Sequence, residues 1–360
     1  MKIRIGLIGY GNIGSMHAKN LFENKIPRAT LAAICDIDPL KLQKAQSNFP
    51  EIPLFSSLDE MLEKAEIDAL LIATPHKLHP EMATRAFEKG LHVLSEKPAG
   101  IRPSDVNAMR EAAQKSGKVF GIMFNQRTNS LFQKAKELVT SGMLGEKKRL
   151  TWIITNWYRT QSYYDSGAWR ATWQGEGGGV LTNQSPHNLD IAAWLFGMPK
   201  TVTAFCHEGQ YHTVSVEDFA MIHGEYENGA TMQFITTTGE YPGTNRLELV
   251  GEGGKIVIEE GKLKCWKLLE NEKELRFSSR VGMPKIPFEY TEYIQDTPDT
   301  AHCGIIENFV SSILDGTPLL APGEDGINQV MLTCAAYLSA RTNTTVTLPI
   351  DSTLYNPILK

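Results

Sequence analysis

Two stretches of this 360-residue chain carry residues whose types and spacing could move a proton. The first is Glu96-Lys97-Pro98, which closes the apolar run Leu91-His92-Val93-Leu94-Ser95. That run reads as a strand of a parallel sheet, and the carboxyl edge of such a sheet is where ligands bind. Pro98 fixes its own φ and biases Lys97 away from helix, so the amine is held at a sharp strand exit. A lysine serves as acid or base when burial or a nearby positive charge lowers its pKa. The plainer alternative is a surface lysine after a strand. The second stretch runs Gly177-Gly178-Gly179-Val180-Leu181-Thr182-Asn183-Gln184-Ser185-Pro186-His187-Asn188-Leu189-Asp190. A helix is predicted from Ser185-Pro186, with the serine as cap and the proline in the first turn. Asn183, His187, Asp190 and Trp194 fall at i, i+4, i+7 and i+11, a polar stripe on a segment otherwise lined by Leu189, Ile191, Ala192, Leu195 and Phe196. A lone helical histidine is more often structural. A buried polar stripe needs partners, and a pocket containing Lys97 would supply them.

These groups need a scaffold, and the first third of the chain reads as one. Ile3-Arg4-Ile5-Gly6-Leu7-Ile8 is a short strand, Gly9-Tyr10-Gly11-Asn12-Ile13-Gly14 follows at once, and a helical pattern begins at Ser15. This is GxGxxG in strand–turn–helix context, the fingerprint of a dinucleotide site. The first glycine makes the turn, the second admits a pyrophosphate, and the third lets helix and strand pack. The helix N-terminus faces the phosphates. The second strand, Leu31 to Cys35, ends at Asp36, 22 residues after Gly14. An acid there accepts from adenosine ribose hydroxyls and repels a 2′-phosphate, and Ile37 and Asp38 supply no arginine, so NAD is favoured over NADP. The alternative is that Asp36 to Pro39 is only a helix cap. Strand 68–73 delivers Thr74, Pro75 and His76 to the edge where the nicotinamide half should pass. Strand 118–124 delivers Asn125, Gln126 and Arg127 to the same edge. Helices are predicted over 58–64, 79–88 and 103–116. The repeated βα units predict a doubly wound parallel sheet over residues 1–124.

The pattern then changes. Long alternating runs at 149–158, 201–208, 219–227, 230–238, 246–250 and 255–259 predict a second α/β domain, residues 125–360, with an open, mainly antiparallel sheet. Asn228-Gly229 signals a hairpin and Glu252-Gly253-Gly254 another turn. One sheet face would lean on helices. The other would be covered by a second subunit, giving a homodimer or homotetramer. Late helices over 304–314 and 326–341 are expected to pack beside the first domain. Residues 152–194 hold five of the six tryptophans, with Tyr158, Tyr163, Tyr164, Arg159 and Arg170 among them. Flat rings beside hydrogen-bonding groups suit a sugar, although aromatic core is an alternative for each residue. Trp169 and Arg170 are expected at the cofactor, and Tyr158, Tyr164, Trp173, Arg127 and Asp190 at the substrate.

Composition narrows the function classes. The formal net charge is −5, without a long basic run, which predicts neither nucleic acid nor membrane as partner. Five scattered cysteines without CxxC spacing suggest neither zinc nor a disulfide framework, and fit reduced thiols in a cytoplasm. No apolar run approaches the roughly 20 residues of a membrane helix.

Taken together, Gly9 to Gly14, Glu96-Lys97-Pro98 and the GGGVL…H…D segment at 177–190 resemble, in order and over essentially the whole length, the Gfo/Idh/MocA oxidoreductases. The resemblance implies a Rossmann domain, an open-faced α/β second domain, and dimers or tetramers through that sheet. In the family's inositol dehydrogenases a Lys, an Asp and a His form the catalytic set. Lys97 and His187 match two of these, but the third position is Asn183, which cannot titrate and can only orient a hydroxyl or His187. Asp190 matches a further substrate-contacting Asp, and Glu96 and Asn125 fall among the expected cofactor contacts. The text around the glycines looks like the branch that includes glycoside 3-dehydrogenases. The expected activity is reversible, NAD-dependent oxidation of a secondary ring hydroxyl of a sugar or glycoside, at C3, to a ketone. An inositol dehydrogenase and a non-catalytic NAD- and sugar-binding sensor are the alternatives.

Overall fold

The computed structural model describes residues 2–167, 169–295 and 300–351. They fall into two compact units, Met1–Thr128 with Thr300–Val330, and Asn129–Asp299 with Met331–Lys360. In chain order the first unit contains β1 (Ile3–Ile8), α1 (Asn12–Phe22), β2 (Ala29–Cys35), α2 (Pro39–Asn48), β3 (Leu54–Phe55), α3 (Leu58–Lys64), β4 (Ala69–Ile72), α4 (His79–Glu88), β5 (His92–Ser95), α5 (Pro103–Ser116) and β6 (Phe120–Ile122). The strands lie in the order β3-β2-β1-β4-β5-β6, all parallel. This is the doubly wound order, with its switch between β1 and β4. β4 is buried at every position, because helices cover both faces. The carboxyl ends of β1, β4 and β5 therefore sit side by side. They carry the glycine loop, Thr74-Pro75-His76 and Glu96-Lys97-Pro98.

The second unit begins with α6 (Ser130–Thr140), β7 (Lys147–Ile154), α7 (Gln161–Tyr164), α8 (Val180–Asn183) and α9 (Pro186–Phe196). It continues with β8 (Thr201–Glu208), β9 (Glu217–Glu225), β10 (Thr231–Thr237), β11 (Asn245–Gly251), β12 (Gly254–Glu259), β13 (Lys262–Leu268), α10 (Glu272–Ser278) and β14 (Phe288–Ile294). α11 (Ala301–Asp315) belongs to the first unit, α12 (Gly326–Thr342) runs from one unit into the other, and β15 (Val346–Thr347) ends the described chain. The nine strands are ordered β14-β13-β12-β11-β7-β10-β9-β8-β15. Every pair is antiparallel except β7 with β10.

Strand alternation gives this sheet two unlike faces. Leu150, Trp152, Ile222, Met232, Phe234, Leu247 and Leu249 are buried on one. The intervening positions carry cross-strand polar pairs such as Arg149–Glu248 and Thr151–Gln233, and the Phe205–Met221 pair, 54% and 37% exposed. The Asn228-Gly229 turn joins β9 to β10 as expected. The strand expected over 149–158 stops at Ile154, and β13, α10 and β14 were not foreseen.

The segment 177–190 also differs from its expected form. Asn183 ends α8, and Gln184-Ser185 separate it from α9. The i, i+4 step from Asn183 to His187 thus crosses a break between two helices. Ser185 is not a side-chain cap; its hydroxyl bonds Thr236 Oγ1 at 3.0 Å. α8 is held by the fully buried Glu217 of β9 instead. Its carboxylate accepts from Gly179 N–H at 2.8 Å, Leu181 N–H at 2.9 Å and the Tyr337 hydroxyl at 2.7 Å, while Tyr337 also meets Thr182 at 2.8 Å. Gly179 lies so close to β9 that a Cβ would fall 1.9 Å from the Glu217 carbonyl oxygen.

Burial pushes the Glu217 pKa from 4.5 to about 7, although the three donors oppose it. A folded-state pKa above the unfolded value means that Glu217 favours folding fully below about pH 4.5. That contribution is lost as pH rises through about 7. Urea unfolding at pH 5 and 7.5 should show wild-type stability falling across this interval, with a shallower fall in Glu217→Gln. An identical slope in the variant would remove Glu217 as the titrating group.

Candidate active site

In the first unit the glycine loop has the shape a dinucleotide requires. Gly9 takes φ 92°, and a Cβ on Gly14 would fall 1.9 Å from Gly9 O, so neither position tolerates a side chain. A Cβ on Gly11 would meet nothing within 4 Å, which is the open space a pyrophosphate needs. α1 starts without a side-chain cap, leaving the amides of Asn12, Ile13 and Gly14 oriented for an anion. Tyr10 is 3% exposed; its ring packs on Phe49 and its hydroxyl accepts from Asn48 at 3.0 Å.

Asp36 closes β2 and is 6% exposed. Its Oδ2 accepts Tyr10 N–H at 2.7 Å and its Oδ1 accepts Asp38 N–H at 2.9 Å. The residue that should meet the ribose thus also pins the glycine loop, and a carboxylate with about four acceptor positions can do both. Asp38, not Asp36, caps α2 through Leu40 N–H. Asn125 Oδ1 is buried without a hydrogen-bond partner among the described residues, as suits a group kept for a ligand.

Lys97 is the one residue of 93–100 that is not buried, and the Lys97–Pro98 peptide is cis. Its backbone N–H donates to Glu96 Oε2 at 3.2 Å, and Glu96 Oε1 accepts from His17 Nε2 at 2.8 Å. The His302 ring stands edge-on to His17 at 5.4 Å. Burial raises the Glu96 pKa, but the His17 hydrogen bond and the charges of His17, His302 and Lys97 outweigh it, holding the pKa at about 2. Glu96 is therefore ionised near neutral pH and anchors the lysine's backbone. His79, fully buried, bridges the two strand exits, facing Thr74 O and Pro98 O at 2.8 Å each. Burial lowers its pKa, while the two carbonyl acceptors work the other way. Thr74 Oγ1 reaches Met82 Sδ at 3.4 Å, and His76 packs edge-on to His79 after Pro75.

Arg127, expected among the substrate contacts, is held by partners inside the first unit. It is 1% exposed, ion-paired to Asp325 at 2.7 Å, bonded to Leu320 O at 3.0 Å, and set over the Phe124 ring. These partners make it a clamp within the first unit.

In the second unit, Asn183 and His187 are the two positions of 180–192 that are not buried. Asp190, on the same helix as His187, is 1% exposed. The Asn183 amide donates to Glu176 Oε1. Glu176, 2% exposed, also accepts Ala171 N–H at 2.7 Å and lies 3.8 Å from Arg170 Nη1. Arg170 sits over the rings of Tyr163 and Trp169 and bonds the Tyr163 hydroxyl at 3.1 Å.

The aromatic residues divide into two groups. Trp169 and Trp173 line an open depression of about 570 Å³ with Thr172, Gln174, Gly175 and Ser215. Trp173 packs edge-on to Tyr337 with Arg341 over its ring, and Tyr158 stands 46% exposed beside Tyr241. Tyr164, also expected among the substrate contacts, is largely enclosed. It is 7% exposed in a small core with Ala171 and Val216, its hydroxyl meets Thr238 at 2.7 Å, and burial lifts its pKa to about 12.

Sequence reasoning missed His17, His79, Glu176, Glu217 and Tyr337. The signal for His17 was its place three residues after Gly14, on the face α1 turns to the sheet. Among the described residues no group of three or more His, Cys, Asp or Glu is placed to hold a metal ion, and no helix is long and apolar enough to cross a membrane.

Comparison with known proteins gives these features a context. Residues 3–124 match the oxidoreductase family with an NAD-binding Rossmann fold, and residues 132–257 match the GFO/IDH/MocA C-terminal domain. The chain is 27% identical over 345 residues to the scyllo-inositol 2-dehydrogenase (NAD(+)) of Bacillus subtilis, covering 91% of each. It is 24% identical over 353 residues to the myo-inositol 2-dehydrogenase of Thermotoga maritima, covering 96% of this chain and 98% of that one. The WlbA dehydrogenase from Bordetella pertussis, solved in complex with NADH and UDP-GlcNAcA, is 29% identical with a TM-score of 0.80, over 98% of this chain and 100% of that one. The chain belongs to the GFO/IDH/MocA oxidoreductase family, and its residues 3–124 match the family's NAD-binding Rossmann fold.

Proposed function

We propose that the protein oxidises a secondary ring hydroxyl of a sugar or glycoside to a ketone, reversibly, with C3 as the reacting carbon. The observation that carries this reading is the placing of Lys97. It is the one open residue in a buried run, held by an ionised Glu96 at the carboxyl edge of a parallel sheet in which β1, two strands from β5, carries the glycine loop. NAD⁺, when bound, supplies the hydride acceptor. Gly9 to Gly14, Asp36 and Asn125 are the residues assigned to hold it. Lys97, as the neutral amine, takes the hydroxyl proton, and His187 donates a hydrogen bond to the oxygen as negative charge develops there. Asn183 accepts from a substrate hydroxyl. Trp169 and Trp173 offer flat apolar rings to the faces of the sugar.

An inositol as substrate is the second reading. It is favoured by the two relatives named as inositol dehydrogenases, each aligned over more than nine-tenths of this chain. The neutral Asn183 weighs against it. The sheet face carrying Phe205 and Met221 is the surface assigned to a homodimer or homotetramer.

Lys97→Ala should lose about 10²–10⁴-fold or more in turnover while binding NADH as wild type does, measured by fluorescence titration. Retained turnover would eliminate Lys97 as the base. His187→Ala should lower kcat by a factor of about 10²–10⁴ with an unchanged melting temperature, and an unaltered kcat would take His187 out of the mechanism. Gly14→Ala should abolish NADH binding, because its methyl group would collide with Gly9 O; wild-type affinity would contradict the proposed geometry of the loop.

A further inference from the structure

Asn183 stands where a titratable group would be useful, and the proposed reaction alone does not explain its being an amide. The surrounding residues do. An ionised carboxylate accepts hydrogen bonds and donates none, so the Asn183 amide can meet Glu176 only through its NH₂ group. The other carboxylate oxygen of Glu176 is tied to Ala171 N–H at 2.7 Å, and Arg170 Nη1 lies 3.8 Å from the first. Arg170 is itself fixed by the Tyr163 hydroxyl at 3.1 Å, which also takes a hydrogen bond from Gln184 at 3.3 Å. Glu176 therefore has one orientation, and it imposes one on the amide, with Oδ1 on the side away from Glu176. Asn183 is partly open while Glu176 is 2% exposed. The negative charge thus lies one residue behind the surface, and the surface group is a neutral acceptor.

Resting on the reading of the reaction above, we propose that Glu176 is a positioning residue. It locks Asn183 with Oδ1 toward the substrate, so that a hydroxyl donor next to the reacting carbon is selected, and it is the reason residue 183 is an amide. A carboxylate at 183 would stand against that of Glu176, and like charges at contact cannot both stay ionised without a large penalty. An amide at 176 would let Asn183 flip, because two amides can pair in either sense.

The test is a double-mutant cycle on the full chain with NAD⁺ and myo-inositol, scyllo-inositol and methyl glucosides as probes, with thermal melts as the check on folding. Asn183→Asp should lose roughly 100-fold in kcat/KM through displacement of the acceptor. Glu176→Gln should lose about 10-fold, mostly in kcat, as the amide loses its fixed sense. The combined E176Q/N183D protein should recover to within about 5-fold of wild type, because a glutamine NH₂ can donate to a carboxylate that is always an acceptor. A merely structural Glu176 gives no such recovery: the double variant would fall to the product of the two single losses, or lower, and that result overturns the proposal. The reading of the reaction fails differently. Wild type that reduces NAD⁺ with none of these probes removes that reading and the role of Glu176 with it. Wild-type turnover without recovery in the double variant removes the role of Glu176 alone.

Discussion

A carboxylate taken out of water must be surrounded by donors, and in this chain the donors are the backbone amides of the segments that matter. Asp36 holds Tyr10 N–H in the glycine loop, and Glu96 holds Lys97 N–H at the exit of β5. Glu217 holds Gly179 and Leu181 N–H at the start of α8, and Glu176 holds Ala171 N–H and the Asn183 amide. Asp218 gathers the N–H groups of Gln210, Tyr211 and His212. Hydrogen bonds to a charged group contribute about 1.5–3 kcal/mol each, and losing one partner of a buried charge costs more. Irregular loops gain from these anchors the rigidity that helices and strands obtain from their own ladders. The open residues Lys97 and Asn183 project from segments immobilised in this way.

The sequence displayed the parallel sheet well, because βα units carry two strong periodicities at once and punctuate them with turns. α3, α4 and α5 fall where the apolar spacing put them. The glycine fingerprint and Asp36 were legible because each has a single physical reading in a strand–turn–helix context. The buried carboxylates were not. Glu176 and Glu217 look in a sequence like any solvated acid, and only the positions of amides distant in the chain reveal them. Arg127 shows the same limit: it closes a strand at the binding edge, and its partner Asp325 is 198 residues away. Tyr164 keeps the company of Tyr163 and Trp173 in space, but its own ring is buried with Ala171 and Val216, which the sequence does not display. The strand β14 alternates polar and apolar residues weakly, since it is largely exposed.

The break between α8 and α9 has a consequence for chemistry. On one continuous helix, Asn183 and His187 would share a single rigid frame. With Gln184-Ser185 between them, each is set by its own anchor: Asn183 by Glu176 and by the Glu217 network under α8, His187 by the first turn of α9 on Pro186. The acceptor and the donor assigned to the substrate can thus be tuned separately. Lys97, in the other unit, has its backbone held through Glu96, which His17 anchors in turn.

The central claim is oxidation of a ring hydroxyl with NAD⁺ as acceptor. The most direct measurement incubates the wild-type protein with NAD⁺ and a panel of free hexoses, glycosides and inositols, follows the reduced nicotinamide, and locates the new carbonyl carbon by NMR. The account predicts reduction with at least one glycoside and a single ketone at C3. Turnover of inositols alone would transfer the assignment to that class, and NADH binding without reduction by any member of the panel would contradict the claim.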